Sequence, residues 1–376
     1  MDAPPPDTLV ARLQAFKSRN ERIVSTCFFL GGFLFDAVML SRIDEPLMLV
    51  QQGGYLIICG ALIAYQQRLV LKKLEPPVRL RKVWHYADHL LHFMLGTLLN
   101  AYSIFYFQSA SGVTAICFVV FIAALLAVNE MPRFHKLGPV VVYALYSICL
   151  TSYFAYLFPV LLGHLRPWMF YLSVGVASAL LLLQIRYLLR WSESYLHVAR
   201  HAAIPAFGVQ ALFLLLYSLR LAPPVPLAIK QIGIYHDVKR VAGGWELSQQ
   251  QGKWKFWQHA DENFLERPGD KLFCFVRIFA PRHFKDAINI VWYHHDDELG
   301  WRLAHRLPLS VSASSNVGFG TDAYLTEPMK GDWRVEIESQ DGRTIGQLRF
   351  KVSEDPSTDP RELTLTFSES KPLEKS

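Results

Sequence analysis

The amino-acid sequence predicts an α-helical transmembrane bundle of about seven spans followed by an all-β, immunoglobulin-like sandwich domain. Three observations lead there. Between Ile23 and Leu221 apolar runs of membrane-crossing length recur, and after Pro226 they stop. Short alternating segments separated by Gly and Asp turns then take over. The charge divides at the same place: residues 1–229 hold 18 Lys+Arg against 10 Asp+Glu, and residues 230–376 hold 20 against 22. The net charge of +6 therefore belongs to the membrane half, which points to basic loops beside a bilayer and away from nucleic acid.

The spans are expected at about 23–40, 47–65, 90–108, 111–129, 139–162, 169–187 and 204–220, the last being short and starting beside a proline. On alternate sides of these spans the cations are unequal. Arg12, Lys17, Arg19, Arg22, Arg68, Lys72, Lys73, Arg79, Arg81, Lys82, Arg133, Lys136, Arg186, Arg190 and Arg200 fall on one side, and Arg42, Arg166 and Arg220 on the other. Basic loops stay in the cytoplasm, so residues 1–22 are expected there and the C-terminal domain in the periplasm of a multi-pass inner-membrane protein. Trp84, Trp168 and Trp191 fall near span ends, as an aromatic belt does. The first twenty residues are too polar for a cleaved signal peptide, which makes the first span an uncleaved anchor.

Residues 222–231 read as a Pro-rich connector, 232–352 as the sandwich and 353–376 as a disordered tail in which LTLTF offers an edge strand. Strands are expected at 232–238, 254–258, 271–280, 288–295, 301–311, 317–325, 332–339 and 345–352. In VWYHHDDELGW the HH closes one strand and DDELG connects it to the next. Successive strand residues face opposite ways, so His294 and His295 can share an ion only if the strand has already ended, and the stretch reads as a turn before it reads as a metal or catalytic site. In WKFWQ, Trp254 and Phe256 share one side of a strand and Trp257 the other, a core stripe with one exposed aromatic or a surface for lipid or sugar.

The runs PPVPLAIKQIGIYHDV, KWKFWQHADENFLERPGDKLFCFVRIFAPRHFKDAINIVWYH and GDWRVEIESQDGRTIGQLRFKV resemble the family defined by the domain of unknown function 2914. LGTLLNAYSIFYFQSAS with LLAVNE is similar to the multi-span part that precedes this domain in some members, so the resemblance covers about residues 90–352. It implies a membrane protein with a C-terminal β-domain and transfers no catalytic residue.

Chemistry in the membrane half is confined to a few constellations. His85, Asp88, His89 and His92 share a helix face, continued by Asn100 and Ser103. His197 and His201 form a second i, i+4 pair, placed in the loop after the sixth span and on the same side as His135. Such residues suit either an aromatic–polar interface or a metal or proton-relay site. Asp36 in the first span and Glu130 at the end of the fourth either pair within the bundle or, for Glu130, reach the headgroups. QQGGY at 51–55 marks close helix packing or a polar pocket. Four of the five cysteines lie in apolar runs and Cys274 stands alone, so neither a disulfide framework nor a zinc spacing follows. With no P-loop, dinucleotide or nucleophile-elbow motif, no cofactor is implied. The expectation is a non-enzymatic protein whose partners are the bilayer and an envelope protein or glycan. The alternative is a membrane-embedded metal-dependent enzyme or transporter using the third-span His/Asp cluster.

Overall fold

The computed structural model describes residues 45–78, 81–84, 86–109, 138–222, 225–250, 262–281, 284–312, 319–357 and 359–369. Five helices among them are long and apolar enough to cross a membrane. The expected spans at 23–40 and 111–129, with Asp36, Glu130 and His135, lie outside the described residues, as do Trp254 and Trp257.

The helices are α1 (Pro46–Lys72), α2 (Arg81–Trp84), α3 (Ala87–Gln108), α4 (Pro139–Leu162), α5 (Pro167–Leu189), α6 (Tyr195–Val198) and α7 (Ile204–Ser218). A π-helical turn, Ala199–Ala203, joins α6 to α7 without a break. This corrects the expected loop around His197 and His201. Pro205 has no N–H to give, and the wider turn before it absorbs the missing bond. Ser194 caps the start, its Oγ accepting from the His197 N–H at 3.3 Å. The last helix long and apolar enough to cross a membrane thus runs from Tyr195 to Ser218.

Polar contacts give the helix directions. Tyr153 Oη donates to the Leu49 carbonyl at 3.1 Å and Tyr156 Oη to Gln52 Oε1. Gly53 lies against Tyr153 and Gly60, two turns later, against Tyr146, so α1 and α4 are antiparallel. Tyr106 Oη donates to Ser152 Oγ at 3.3 Å and lies at one cavity with Ala155 and Pro159, which brings the C-terminal ends of α3 and α4 together. Gln108 and Pro139 therefore lie at opposite ends of the bundle. Gln210 Nε2 donates to Ser147 Oγ at 2.9 Å and to Thr151 Oγ1 at 2.7 Å, setting α7 parallel to α4. Gln184 Nε2 donates to the Gly60 carbonyl at 2.9 Å, tying α5 to α1.

The β-domain packs two sheets face to face: β1 (Ala228–Tyr235), β5 (Lys271–Phe279) and β8 (Phe319–Thr326) in the order β1-β5-β8, and β4 (Asn263–Glu266), β10 (Thr344–Glu354), β9 (Gly331–Ser339), β6 (Lys285–Asp296) and β7 (Gly300–Ser312) in the order β4-β10-β9-β6-β7. With β5, β6, β9 and β10 read as strands B, C, F and G, this is the strand arrangement of an immunoglobulin-type sandwich, including the fully buried Trp292 on strand C. Cys274 sits buried on strand B as a free thiol, and β9 carries no cysteine to bridge to it. Ile234, Phe264, Ile290, Trp292, Val335 and Phe350 fill the core. Gly346 lets the sheets approach there, because a Cβ at that position would come within 2.0 Å of Ile229 Cδ1.

A third sheet, β11-β3-β2, is built from β2 (Asp237–Val241), β3 (Gly244–Gln249) and β11 (Thr364–Glu369). Its Leu247 and Trp245 pack on Tyr235 and Phe275, which face away from the main core. Expectations are corrected here: the connector is already strand from Ala228, the predicted strand 232–238 breaks at His236, and the segment after 353 is not wholly disordered, the edge strand offered at LTLTF forming as β11.

What holds β11 is Arg361. It pairs with Asp270 at 2.7 Å and Asp355 at 3.3 Å, donates to the Leu265 carbonyl at 2.7 Å and reaches His236 Nδ1 at 3.3 Å. The His236 ring lies on Phe264, centroids 4.2 Å apart. Burial, then the Arg361 charge, push its pKa down to about 4. The folded protein keeps this ring neutral, while the unfolded chain takes up a proton near pH 6.5. Its contribution is complete above that pH and is lost as pH falls toward 4. Urea unfolding of the full chain at pH 7.5 and 4.5 should therefore show an acid loss that His236→Gln reduces by about 2 kcal/mol. An Arg361→Ala variant should raise deuterium uptake over Thr364–Glu369, and unchanged protection there would assign the strand's anchorage elsewhere.

Candidate functional site

In the bundle the third-span stripe is only partly formed as a cluster. Asp88 Oδ1 and His92 Nε2 are 3.8 Å apart across one turn at the start of α3. His85 and the His89 side chain lie outside the described residues. Ser103 Oγ donates to the Leu99 carbonyl of its own helix at 2.6 Å, so it does not extend the stripe. His197 and His201 stack with centroids 4.2 Å apart, and His201 Nδ1 lies 2.9 Å from the His197 carbonyl. Among the described residues no three His, Cys, Asp or Glu side chains converge on a metal position.

What the bundle does contain is a buried polar seam that the sequence reading missed. Gln52, Ser147, Thr151, Ser152 and Gln210 are buried: Tyr156 bonds Gln52, Tyr106 bonds Ser152, Tyr153 bonds the Leu49 carbonyl, and Gln210 bonds Ser147 and Thr151. The signal was available in YALYSICLTSYFAY, where Tyr143, Tyr146, Tyr153 and Tyr156 interleave with Ser147 and Thr151 at helical spacing. Every described member is neutral, so the seam joins helices without supplying a titrating group. QQGGY belongs to it: Gly53 lies under Tyr153, where a Cβ would come to 2.8 Å from Oη, too close without a shift, while Gln52 bonds Tyr156. Interhelical bonds of this kind contribute about 0.6 kcal/mol each on average.

In the β-domain, VWYHHDDELGW is a strand end and turn. β6 closes at Asp296, which pairs with Gly300, the first residue of β7. Gly300 takes φ +71°, a region open to glycine. Asp296 Oδ1 accepts from Leu299 N at 2.9 Å and Glu298 N at 3.0 Å, and these bonds hold its carboxyl below the usual range. His294 and His295 face opposite ways: the first lies against Trp333 and the second against Trp301, each with centroids 5.0 Å apart.

This turn marks one end of the sandwich. Lys285, at the other end of β6, donates its N–H to the Gly163 carbonyl of the α4–α5 loop at 2.8 Å. Twelve residues of strand separate the helices from the turn, roughly 36 Å at about 3.3 Å per residue. On the outer sheet face near that far end, Arg334 lies over Tyr293 at 4.8 Å and over Trp301 at 4.9 Å, while Arg349 approaches Trp301 at 5.8 Å. Glu336 holds Arg334 Nε at 3.0 Å. Burial raises the Tyr293 pKa, so the phenol stays a neutral donor. Leu299, Leu303 and Met329, at the same end, are 67%, 56% and 58% exposed. Tyr, Trp, Arg and Met are the side chains enriched where proteins meet.

Residues 285–352 match the family model described as "Protein of unknown function (DUF2914)". Over these residues the match agrees with the DUF2914 resemblance read from the sequence. The DUF2914 match runs from β6 into β10 and contains the whole far-end surface. No curated protein matches the chain. Among solved structures, an immunoglobulin-like protein from Pseudomonas aeruginosa is 12% identical with a TM-score of 0.21, covering 34% of this chain and 98% of that one. A GH3 beta-glucosidase from Bifidobacterium adolescentis is 10% identical with a TM-score of 0.18, and 35% of this chain matches only 18% of the enzyme. The fold assignment rests on the strand order above.

The seam yields a direct test. Gln210→Ala removes two interhelical bonds, and unfolding in detergent should cost about 1–2 kcal/mol less. No change would mean that Ser147 and Thr151 find equivalent partners without it.

Proposed function

We propose that this inner-membrane protein holds its β-domain on the periplasmic side and binds an envelope protein with the membrane-distal surface around Trp301, Leu303 and Arg334. The observation that carries the reading is the exposed trio Leu299, Leu303 and Met329 beside aromatic rings already fixed by Arg334 and Arg349. Rigid aromatic and arginine side chains lose little entropy on binding, and exposed aliphatics suit a protein surface better than a sugar. The orientation is supported by charge. Arg68, Lys72, Lys73, Arg186, Arg190 and Arg200 belong to the helix ends remote from the β-domain, whereas Gly163 and Leu165 bond it.

Two measurements test this. A cysteine at Ser357, in the exposed β10–β11 connection, should react with a membrane-impermeant maleimide on intact cells, and one at Glu193 should not; the reverse pattern would put the domain in the cytoplasm. A photo-crosslinking residue at position 303 should give one discrete protein adduct, lost when Trp301 is replaced by Ala. A glycan adduct would change the partner's class. No adduct, together with stoichiometric metal that His92→Ala removes, would move the function into the bundle.

A further inference from the structure

At the junction of the two halves, Arg343, between β9 and β10, lies on an aromatic stack from the helices. Its guanidinium carbon is 3.5 Å from the Tyr217 ring centre, and Phe170 stacks on the same ring at 3.8 Å with planes 3° apart. Arg343 Nε donates to Asp341 Oδ2 at 2.7 Å and Nη2 to the Tyr217 carbonyl at 3.1 Å. The side chain is only 10% exposed, and its buried Nη1 finds no acceptor among the described residues. Such a charged donor is costly to leave unpaired.

Arg343 lines a partly open cavity of about 30 Å³, more than the ~10–15 Å³ that one water requires. Arg166 and Asp341 share the polar wall; Tyr106, Ala155 and Phe170 are among the residues of the wall on the helix side. The nearby acids are already engaged. Asp341 takes Arg343 Nε and the Ser339 hydroxyl, and Asp286 takes the N–H groups of Leu165 at 3.0 Å and Ala287 at 2.9 Å, with Arg166 at 3.7 Å. Arg220 Nη1 approaches Gly342, 3.7 Å from where its Cβ would be. Glu338 faces Arg220 and pairs with Arg306 at 3.0 Å, so around the junction four arginines meet three carboxylates, leaving one positive charge. The cavity lies where α4 and α7 end and α5 begins, the depth of phospholipid headgroups if these helices cross a bilayer.

We propose that this cavity binds a phosphate group, from a phospholipid headgroup or from free inorganic phosphate, with Arg343 Nη1 as its principal donor. Arginine's planar fork suits phosphate oxygens, and the apolar wall beneath it would face the glycerol end of a lipid. The inference rests on the membrane reading above.

The test uses the full chain, delipidated in detergent, titrated separately with inorganic phosphate and with short-chain phosphatidylglycerol, and followed by native mass spectrometry. One equivalent is expected to bind. Ala155→Leu, which fills the cavity from its apolar wall, and Arg343→Lys, which keeps the charge but loses the fork, should each weaken binding at least tenfold. Arg200→Gln, at the opposite end of the bundle, should leave it unchanged. Binding of inorganic phosphate would identify the free ion as sufficient; binding of the lipid alone would identify the headgroup, and either supports the site. No adduct of either ligand, or an adduct indifferent to both cavity variants, would overturn it and leave a hydrated cavity. Failure of the full chain to insert into lipid nanodiscs would instead count against the membrane reading.

Discussion

Helix α4 organises both halves of the molecule. Its Tyr153 and Tyr156 hold α1, its Ser152 takes the hydroxyl of Tyr106 on α3, and its Ser147 and Thr151 take the amide of Gln210 on α7. The loop that ends it offers the Gly163 carbonyl and the Leu165 N–H to the first residues of β6. In hydrocarbon, apolar side chains gain little by leaving lipid for one another, so helices associate through close packing and polar contacts. A helix that carries hydroxyls and amide partners on several faces can therefore collect neighbours that a purely apolar one could not. The same helix then sets where the β-domain begins.

Most of the architecture was legible because it follows from local rules. Run length marks helices such as Pro139–Leu162, and alternation marks strands such as Gly331–Ser339, whose Trp333, Val335 and Ile337 are buried. The turn at Asp296–Gly300 followed from its Asp and Gly residues. Other features depend on partners distant in the chain. Arg361 fixes β11 through Asp270, Asp355 and Leu265, and nothing in the Ser/Asp/Pro/Glu-rich segment around it shows that those partners will be near. GWELSQ has weak strand character by itself and becomes a central strand because β2 and β11 flank it.

The candidate sites divide in the same way. A histidine stripe is visible in sequence because its members share one helix, and the structure ties together only Asp88 with His92 and His197 with His201 among the described side chains. The Arg334–Tyr293–Trp301 face is assembled from three strands, and the Arg343 stack from two helices and a turn, so no local spacing announces either. One hint was present. Arg166 and Arg220 stand out as cations on the otherwise acid-tolerant side, and both adjoin the β-domain: Arg166 beside Asp286, Arg220 beside Gly342.

The two-point attachment of the β-domain has a consequence for how it meets other molecules. Gly163–Arg166 grips the start of β6 while Tyr217 grips Arg343 after β9, so the domain is mounted on the helices and not swung from a leash. A leashed domain would sweep a hemisphere and dilute its far-end surface through that volume. A mounted one keeps that surface at a single height and facing one direction, so the orientational cost of capture is met during folding. Partners at that height would encounter it at high effective concentration, and those held closer to or farther from the membrane would scarcely meet it.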